Sequence, residues 1–234
     1  MAEQKVTHLG VIMDGNRRWA RAHKLESVMR GHEKGVDTFM NVCEWCREEQ
    51  IPYLTVYAFS TENWNRSEAE VTSLFRLMGK FFTDEIDTCI DRGIRIRVVG
   101  DLSRLDMESM ETVRKAEEMT AGCRTLYVQI AISYGGRDEI VRAARKLAAK
   151  AAEGKLAPEE ITEEMFGGAL DTAGVPDMDL VIRTGGNRRL SNFFPWQTTY
   201  AELVFTDTLW PDFTKEELCR ALAYYETIQI NKGK

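Results

Sequence analysis

Short apolar runs alternate with longer amphipathic stretches along this chain, and that alternation restricts its possible folds more than any other feature. Residues 8–13 (HLGVIM), 53–59 (YLTVYAF), 94–99 (IRIRVV), 126–132 (LYVQIAI), 179–182 and 201–205 read as strands, several too continuously apolar to leave a face to water. Helical patterns lie near 31–49, 67–92, 103–120, 136–152, 159–170 and 214–228. Strands and helices in this order predict an α/β fold, with a mostly parallel central sheet flanked by helices and right-handed crossovers. No repeat, low-complexity tract or Pro/Gly-rich linker interrupts the 234 residues, so a single domain over 1–234 is expected.

Thirty-one Lys and Arg against 37 Asp and Glu give a formal charge of −6, so the surface as a whole repels nucleic acid and anionic lipid unless positive charge is gathered locally. Hydrophobic residues at 44% and charged residues at 29% exclude disorder and a disulfide-stapled mini-protein. Cys43, Cys46, Cys89, Cys123 and Cys219 are odd in number and mostly sit in helical patterns, which fits a reduced, cytoplasmic protein. Cys43 and Cys46 form a CxxC with no second pair and no nearby His, a poor zinc or redox motif. No apolar run reaches the roughly 20 residues of a membrane span, and no signal core follows the N-terminus.

In parallel sheets the ligand site lies beyond the carboxyl ends of the strands. Three such exits, 14–19 (DGNRRW), 60–66 (STENWNR) and 183–192 (RTGGNRRLSN), together carry six Arg, a focused positive patch on an acidic chain. In the first, Gly15 frees the backbone to approach a ligand, a helix begins near Asn16, and Arg17 and Arg18 stand beside it, which makes a phosphate cradle. Neither GxxxxGK(S/T) nor GxGxxG occurs, so this is no Walker or dinucleotide loop. Asp14 would repel a diphosphate there unless a cation lay between them, which points to Mg²⁺. The plainer use of the same residues is a capping Asp14 with solvated arginines. In the third exit, Gly185 and Gly186 permit a tight turn while Arg183, Arg189 and Ser191 add charge-assisted donors, so two anionic groups held at once are suggested. Trp19, Trp64 and Trp196 among basic residues could instead form a nucleic-acid groove, but the basic residues are confined to strand exits.

Within 67–92, Val71, Leu74, Phe75, Met78, Phe82 and Ile86 recur at three- and four-residue spacing. Taken alone the stripe is core. Because it follows directly on the polar loop, one face of it could line a pocket for a greasy tail beneath a phosphate-binding rim.

HLGVIMDGNRRWA at 8–20, YAFSTENWNR at 57–66, SYGGRDEI at 133–140 and RTGGNRRLSNFFPWQTTYAELVFTDTLWPDF at 183–213 resemble the cis-prenyltransferase (undecaprenyl diphosphate synthase) family, in its order and spacing over nearly the whole chain. The resemblance implies a homodimeric enzyme that uses Mg²⁺ to condense isopentenyl diphosphate with an allylic diphosphate (farnesyl, geranyl or dimethylallyl) into a Z-polyprenyl diphosphate, with at most peripheral membrane contact for product release. It implies that Asp14 holds the metal at the allylic diphosphate, with Gly15, Asn16, Arg17, Arg18, Trp19 and His32 around it. Ser60, Thr61, Glu62, Trp64 and Arg66 match the loop over the reacting centre, and Asn63 matches the residue assigned to proton removal. Arg183, Arg189, Leu190 and Ser191 match the isopentenyl diphosphate site, and Glu202 the second metal-associated carboxylate.

The chain departs from the family pattern in several places. Val28 replaces an Arg common four residues before His32, leaving Lys24 or Arg30 to take its place; Arg17 replaces a common Gly, Asn187 a common Glu and Ser67 a common Pro. The tail Asn231-Lys232-Gly233 only partly matches the family's terminal Arg-x-Gly. These departures leave two alternatives to regular elongation: irregular coupling of two allylic diphosphates, and a non-catalytic partner subunit, against which the intact Asp14 and Asn63 argue. No charged insertion interrupts 67–92, which points to short or medium products.

Overall fold

A computed structural model describes residues 5–228. Six parallel strands form one sheet in the order β3-β4-β2-β1-β5-β6: β1 (His8–Ile12), β2 (Tyr53–Ser60), β3 (Ile94–Val99), β4 (Leu126–Tyr134), β5 (Leu180–Arg183) and β6 (Glu202–Phe205). Around it lie α1 (Asn16–Ala22), α2 (Met29–Glu48), α3 (Glu68–Asp84), α4 (Ile86–Asp91), α5 (Met107–Thr120), α6 (Gly136–Ala152), α7 (Glu163–Gly167) and α8 (Lys215–Glu226). The strands expected from sequence are all present. β1 and β5 are buried along their whole length because both faces are covered, whereas the edge strand β6 is only partly buried and the other edge strand, β3, turns Arg97 to solvent.

Successive residues of each strand serve opposite layers. Leu9 and Val11 join the larger core with Phe39 and Val42 of α2, Phe81 of α3, Val113 of α5 and Leu218 of α8; Ile12 joins a smaller one with Tyr134, Phe193 and Phe194. The pattern at 67–92 divides at Glu85 into α3 and α4. Just before the break, the Thr83 hydroxyl donates to the carbonyls of Gly79 and Lys80. The stretch 159–170 is helical only in α7 and in a 3-10 turn at Pro158–Glu160, since Thr162 starts a fresh helix by accepting from the Met165 amide. Likewise 103–120 begins as a 3-10 turn and becomes α5 only after Asp106 caps it through the Ser109 amide at 2.7 Å. The tail at 231–233 lies outside the described residues.

β1 sits at the point where the strand order reverses: its neighbours are β2 on one side and β5 on the other, with Ile12 in register with Arg183. The crevice beyond the ends of β1 and β5 is therefore where a ligand is expected in such a sheet.

A buried polar track crosses the other half of the strands. His8 is fully buried, with Nδ1 2.7 Å from the Pro176 carbonyl and Nε2 2.7 Å from Thr55 Oγ1, and the Gln129 side-chain amide lies 3.0 Å from that hydroxyl. A carbonyl can only accept, so Nδ1 carries a proton towards Pro176, while the Thr55 hydroxyl donates to Gln129 Oε1. Burial holds the His8 pKa down from 6.5 to about 4. The folded chain thus resists a proton that the unfolded chain takes readily, and the stability this gives is complete above pH 6.5 and lost as pH falls to about 4. The loss expected from this residue is about 3 kcal/mol. Denaturant titrations between pH 7 and pH 4 should show it, with a shallower slope in His8→Gln.

Candidate active site

The sharp exit from β1 is built on glycines. Gly15 has φ +125°, and a Cβ there would lie 2.9 Å from the Leu209 Cα, so what approaches it closely is the 209–210 backbone. A Cβ on Gly31 would strike the Asn16 carbonyl oxygen, and one on Gly35 would reach Asn16 Oδ1, so these two glycines let α1 lie directly on α2. The Asp14 carbonyl oxygen accepts from Thr184 Oγ1 at 2.7 Å and from the Trp210 amide at 3.1 Å, which ties the exits of β1 and β5 to the segment after β6.

This places Asp14 in a clamp. Its Oδ1 accepts from Arg18 Nη2 at 3.1 Å; its Oδ2 accepts from Arg183 Nη2 at 3.0 Å and Asn187 Nδ2 at 2.8 Å. Burial works to raise the Asp14 pKa, but the hydrogen bonds from Asn187 and Arg183 and the charges of Arg18 and Arg183 outweigh it and hold the carboxyl below its ordinary value, so it stays ionised. The Arg183 side chain is only 5% exposed; its Nη1 donates to the Arg189 carbonyl and, at 2.7 Å, to Ser191 Oγ. Arg189 lies exposed at the rim, with Nε 3.2 Å from Ser191 Oγ. Ser191, Asn192 and Phe194 all have positive φ, an uncommon run for residues other than glycine, and this turn swings Ser191 back towards Arg183.

Asp14, Asn16, His32, Ser60, Asn63 and Arg183 line one open cleft of about 530 Å³, joined by Glu62, Arg66 and Ser191. Beside it Arg17, Arg18, Arg21 and Arg66 line a cationic recess of about 360 Å³. Arg66 Nη1 donates to Glu70 Oε1 at 3.0 Å, and Arg17 Nε stands 3.6 Å from the same oxygen. Glu70 was not singled out from the sequence: it lies in the first turn of α3, whereas Arg66 is extended and precedes that helix. Beneath the cleft, and sharing Met13, Asn16, His32, Ala58 and Leu74 with it, lies an apolar pocket of about 100 Å³ closed by Phe39, Phe81 and Phe82. One face of α3 is therefore both core and pocket wall.

The Asn63 Oδ1 accepts from the Ser60 amide at 3.0 Å, so its NH₂ is the group left to act in the cleft. Glu62 accepts from Asn192 at 3.1 Å and from Thr61 at 3.3 Å, joining the loop after β2 to the one after β5. Other expected residues stand elsewhere. Trp19 donates from Nε1 to Asp212 at 2.7 Å and stacks on His23, outside the cleft. Trp64 turns away to stack on Phe75, with Arg104 over its ring and its Nε1 on Ser133 Oγ at 3.0 Å. Leu190 packs in the smaller core. Lys24 is an exposed turn residue and Arg30 pairs with Glu33; the cations acting on His32 are Arg66 and Arg17.

Glu202 begins β6 in register with Leu180, at the opposite end of the strand from Arg183. A single chain therefore does not bring it to Asp14, and among the described residues no cluster of three His, Cys, Asp or Glu could hold a metal alone. The oxygens that are present still suit Mg²⁺. It typically binds one or two carboxylates together with substrate phosphates, and Asp14 is an ionised carboxylate in a cleft that Asn16 also lines. Asn16 Oδ1, His32 Nε2 and Arg17 Nε are buried without a hydrogen-bond partner.

The prenyltransferase family model (undecaprenyl diphosphate synthase) matches residues 12–233. An isoprenyl transferase of Rhizobium meliloti is 47% identical over 93% of this chain and 88% of the relative. Among solved structures, lavandulyl diphosphate synthase of Lavandula x intermedia in complex with dimethylallyl diphosphate superposes with a TM-score of 0.94 at 35% identity, covering 98% of this chain and 99% of that one. A probable undecaprenyl diphosphate synthase of Campylobacter jejuni gives 0.83 at 38% identity, covering 99% and 100%.

Burial first, and then the charges of Arg66 and Arg17 against that of Glu70, hold the His32 pKa to about 4. An anion seated in the recess offsets those arginines. Inorganic pyrophosphate is therefore expected to move the His32 ring titration upward in an NMR pH series; a titration unmoved at saturating pyrophosphate would place the anion elsewhere.

Proposed function

Given that the chain belongs to the undecaprenyl diphosphate synthase family and is an isoprenyl transferase, we propose that it elongates an allylic diphosphate with isopentenyl diphosphate in the cis configuration. The observation that carries this reading is the joining of an arginine-lined cleft to an apolar pocket through shared walls. A diphosphate with a hydrocarbon tail matches both halves. Arg17 and Arg18 bind the allylic diphosphate on one side of Asp14, and Arg183, Arg189 and Ser191 bind isopentenyl diphosphate on the other. Asp14 and the substrate phosphates would hold Mg²⁺, which when bound neutralises charge on the departing diphosphate.

Departure of diphosphate builds allylic cation character, so fixed guanidinium charges along the cleft supply most of the acceleration. Trapping the cation with isopentenyl diphosphate leaves one proton to remove. Asn63 presents an amide NH₂ rather than a basic atom, so it orients the reacting groups, and the proton passes towards Ser60 or the released diphosphate. Each added five-carbon unit gains a few kcal/mol while pocket remains, at about 0.8 kcal/mol per CH₂. An apolar cavity of roughly 150 Å³ admits a benzene-sized guest; the 100 Å³ here suits a short product unless the phenylalanine floor yields.

The same small pocket, with the likeness to lavandulyl diphosphate synthase, supports a second reading in which two five-carbon allylic diphosphates are coupled irregularly. Partial exposure of Leu203 on the edge strand β6, beside exposed Tyr200 and Tyr224, supports a homodimer.

Incubation with Mg²⁺, labelled isopentenyl diphosphate and dimethylallyl, geranyl or farnesyl diphosphate separates the readings. Incorporation of label is expected; its absence together with self-coupling of dimethylallyl diphosphate would favour the second. Asp14→Asn keeps an acceptor for Arg183 and should fold normally by circular dichroism, with turnover lowered on the order of 10³-fold or more. Arg189→Ala should raise the KM for isopentenyl diphosphate roughly 10- to 100-fold, as expected for a lost charge-assisted bond. Phe81→Ala or Phe82→Ala opens the pocket floor, and longer products should appear in the chromatogram.

A further inference from the structure

We infer that Asn187 is a positioning residue that couples the two anion subsites, its amide bridging the Asp14 carboxylate of one to the Arg189 guanidinium of the other. This rests on the reading of the cleft as a double diphosphate site. The Asn187 Nδ2 donates to Asp14 Oδ2 at 2.8 Å while its Oδ1 accepts from Arg189 Nη1 at 3.3 Å. Among the described residues, no other side chain is hydrogen-bonded to both charged side chains. Arg183 makes a parallel link, but it does so through the Arg189 carbonyl and Ser191 and is itself fixed at the buried end of β5.

The chemistry of position 187 is selective. An amide has a donor end and an acceptor end, so it serves a carboxylate and a guanidinium at once. A carboxylate here would suit Arg189 but would stand about as far from Asp14 as the amide now does, and two carboxylates that close cannot both stay ionised without a proton or a cation between them. Where many members of the family pattern carry Glu, this chain has a hydrogen bond that needs neither. The clamp on Asp14 is thereby assembled before any metal arrives.

Asn187 follows a turn whose backbone is held by bonds from Gly185 to Thr208 and from Gly186 to Thr206, while the side chains beyond it reach the rim. Gly185 and Gly186 before it have φ of +81° and +76°, and Gly186, Arg188 and Arg189 are exposed. A diphosphate drawn to Asp14 and its arginines steadies the amide, and the amide steadies Arg189. The second diphosphate then meets a donor already in place, so it loses less conformational entropy on binding. The expected result is positive coupling between the subsites. The fit at 187 is reciprocal, so either ligand should promote the other to the same degree.

Isothermal titration of the intact protein in Mg²⁺ measures this directly. Isopentenyl diphosphate is titrated with and without saturating dimethylallyl thiolodiphosphate, an allylic analogue whose C–S bond resists ionisation. In the unsubstituted protein the analogue is expected to tighten isopentenyl diphosphate binding by about 5- to 20-fold. In Asn187→Ala each ligand should still bind alone, and the coupling should fall below about twofold. Asn187→Gln adds a readout that a merely structural role would not move: it keeps a donor end and an acceptor end on one amide, and should restore most of the coupling that Asn187→Ala loses. Coupling in Asn187→Ala equal to that of the unsubstituted protein, no restoration of coupling in Asn187→Gln, or independent binding of both ligands to the unsubstituted protein would each overturn the inference. Failure of the unsubstituted protein to bind either diphosphate would instead remove the double-site reading on which it stands.

Discussion

A buried guanidinium at the end of β5 facing a carboxylate just beyond β1 is the contact on which the rest of the site depends. An almost fully buried charge is tolerated only when paired and hydrogen-bonded, and Arg183 meets that demand with Asp14 Oδ2, Ser191 Oγ and the Arg189 carbonyl. The pair therefore sets the distance between the first and third strand exits and, with it, the spacing of any two anions held there. It also explains why Asp14 remains ionised although partly buried.

The glycines follow from the same requirement. For Asp14 to meet Arg183, the chain must leave β1 abruptly and run against the 209–210 segment, and only Gly15 allows that approach. The turn at Gly185 and Gly186 brings Asn187 back over Asp14, and a Cβ at Gly185 would collide with Arg18. Local strain is gathered in residues 185–194, where five positions have positive φ, three of them not glycine, and backbone bonds from Gly185 to Thr208 and from Gly186 to Thr206 hold the turn in place.

α3 joins the polar and apolar halves. Leu74, Met78, Phe81 and Phe82 face the tail pocket while Glu70, one turn before Leu74, holds Arg66 and stands near Arg17 at the cationic recess. A change in the tail pocket thus has a short physical route to the arginines.

The amino-acid sequence by itself determined the layered architecture, since the period of the apolar residues distinguishes strands buried on both faces from amphipathic helices, and Arg and Gly concentrated at strand exits marked the residues that gather at the cleft. The division of 67–92 at Glu85 was not legible, because the apolar stripe of α3 runs on through Ile86 and Cys89 into α4. Nor was the fate of the tryptophans: Trp19 and Trp64 carry the composition of a binding site, but Asp212 and Phe75, distant in sequence or on another element, draw them away. Tertiary structure alone decided that Asn187 reaches Asp14 across 173 positions of sequence and that Glu202 sits at the far end of its strand. The reason is geometric. Periodicity and residue type are properties of neighbours along the chain, whereas which carboxylate meets which cation is set by strand order and register, and those follow from the packing of the whole sheet.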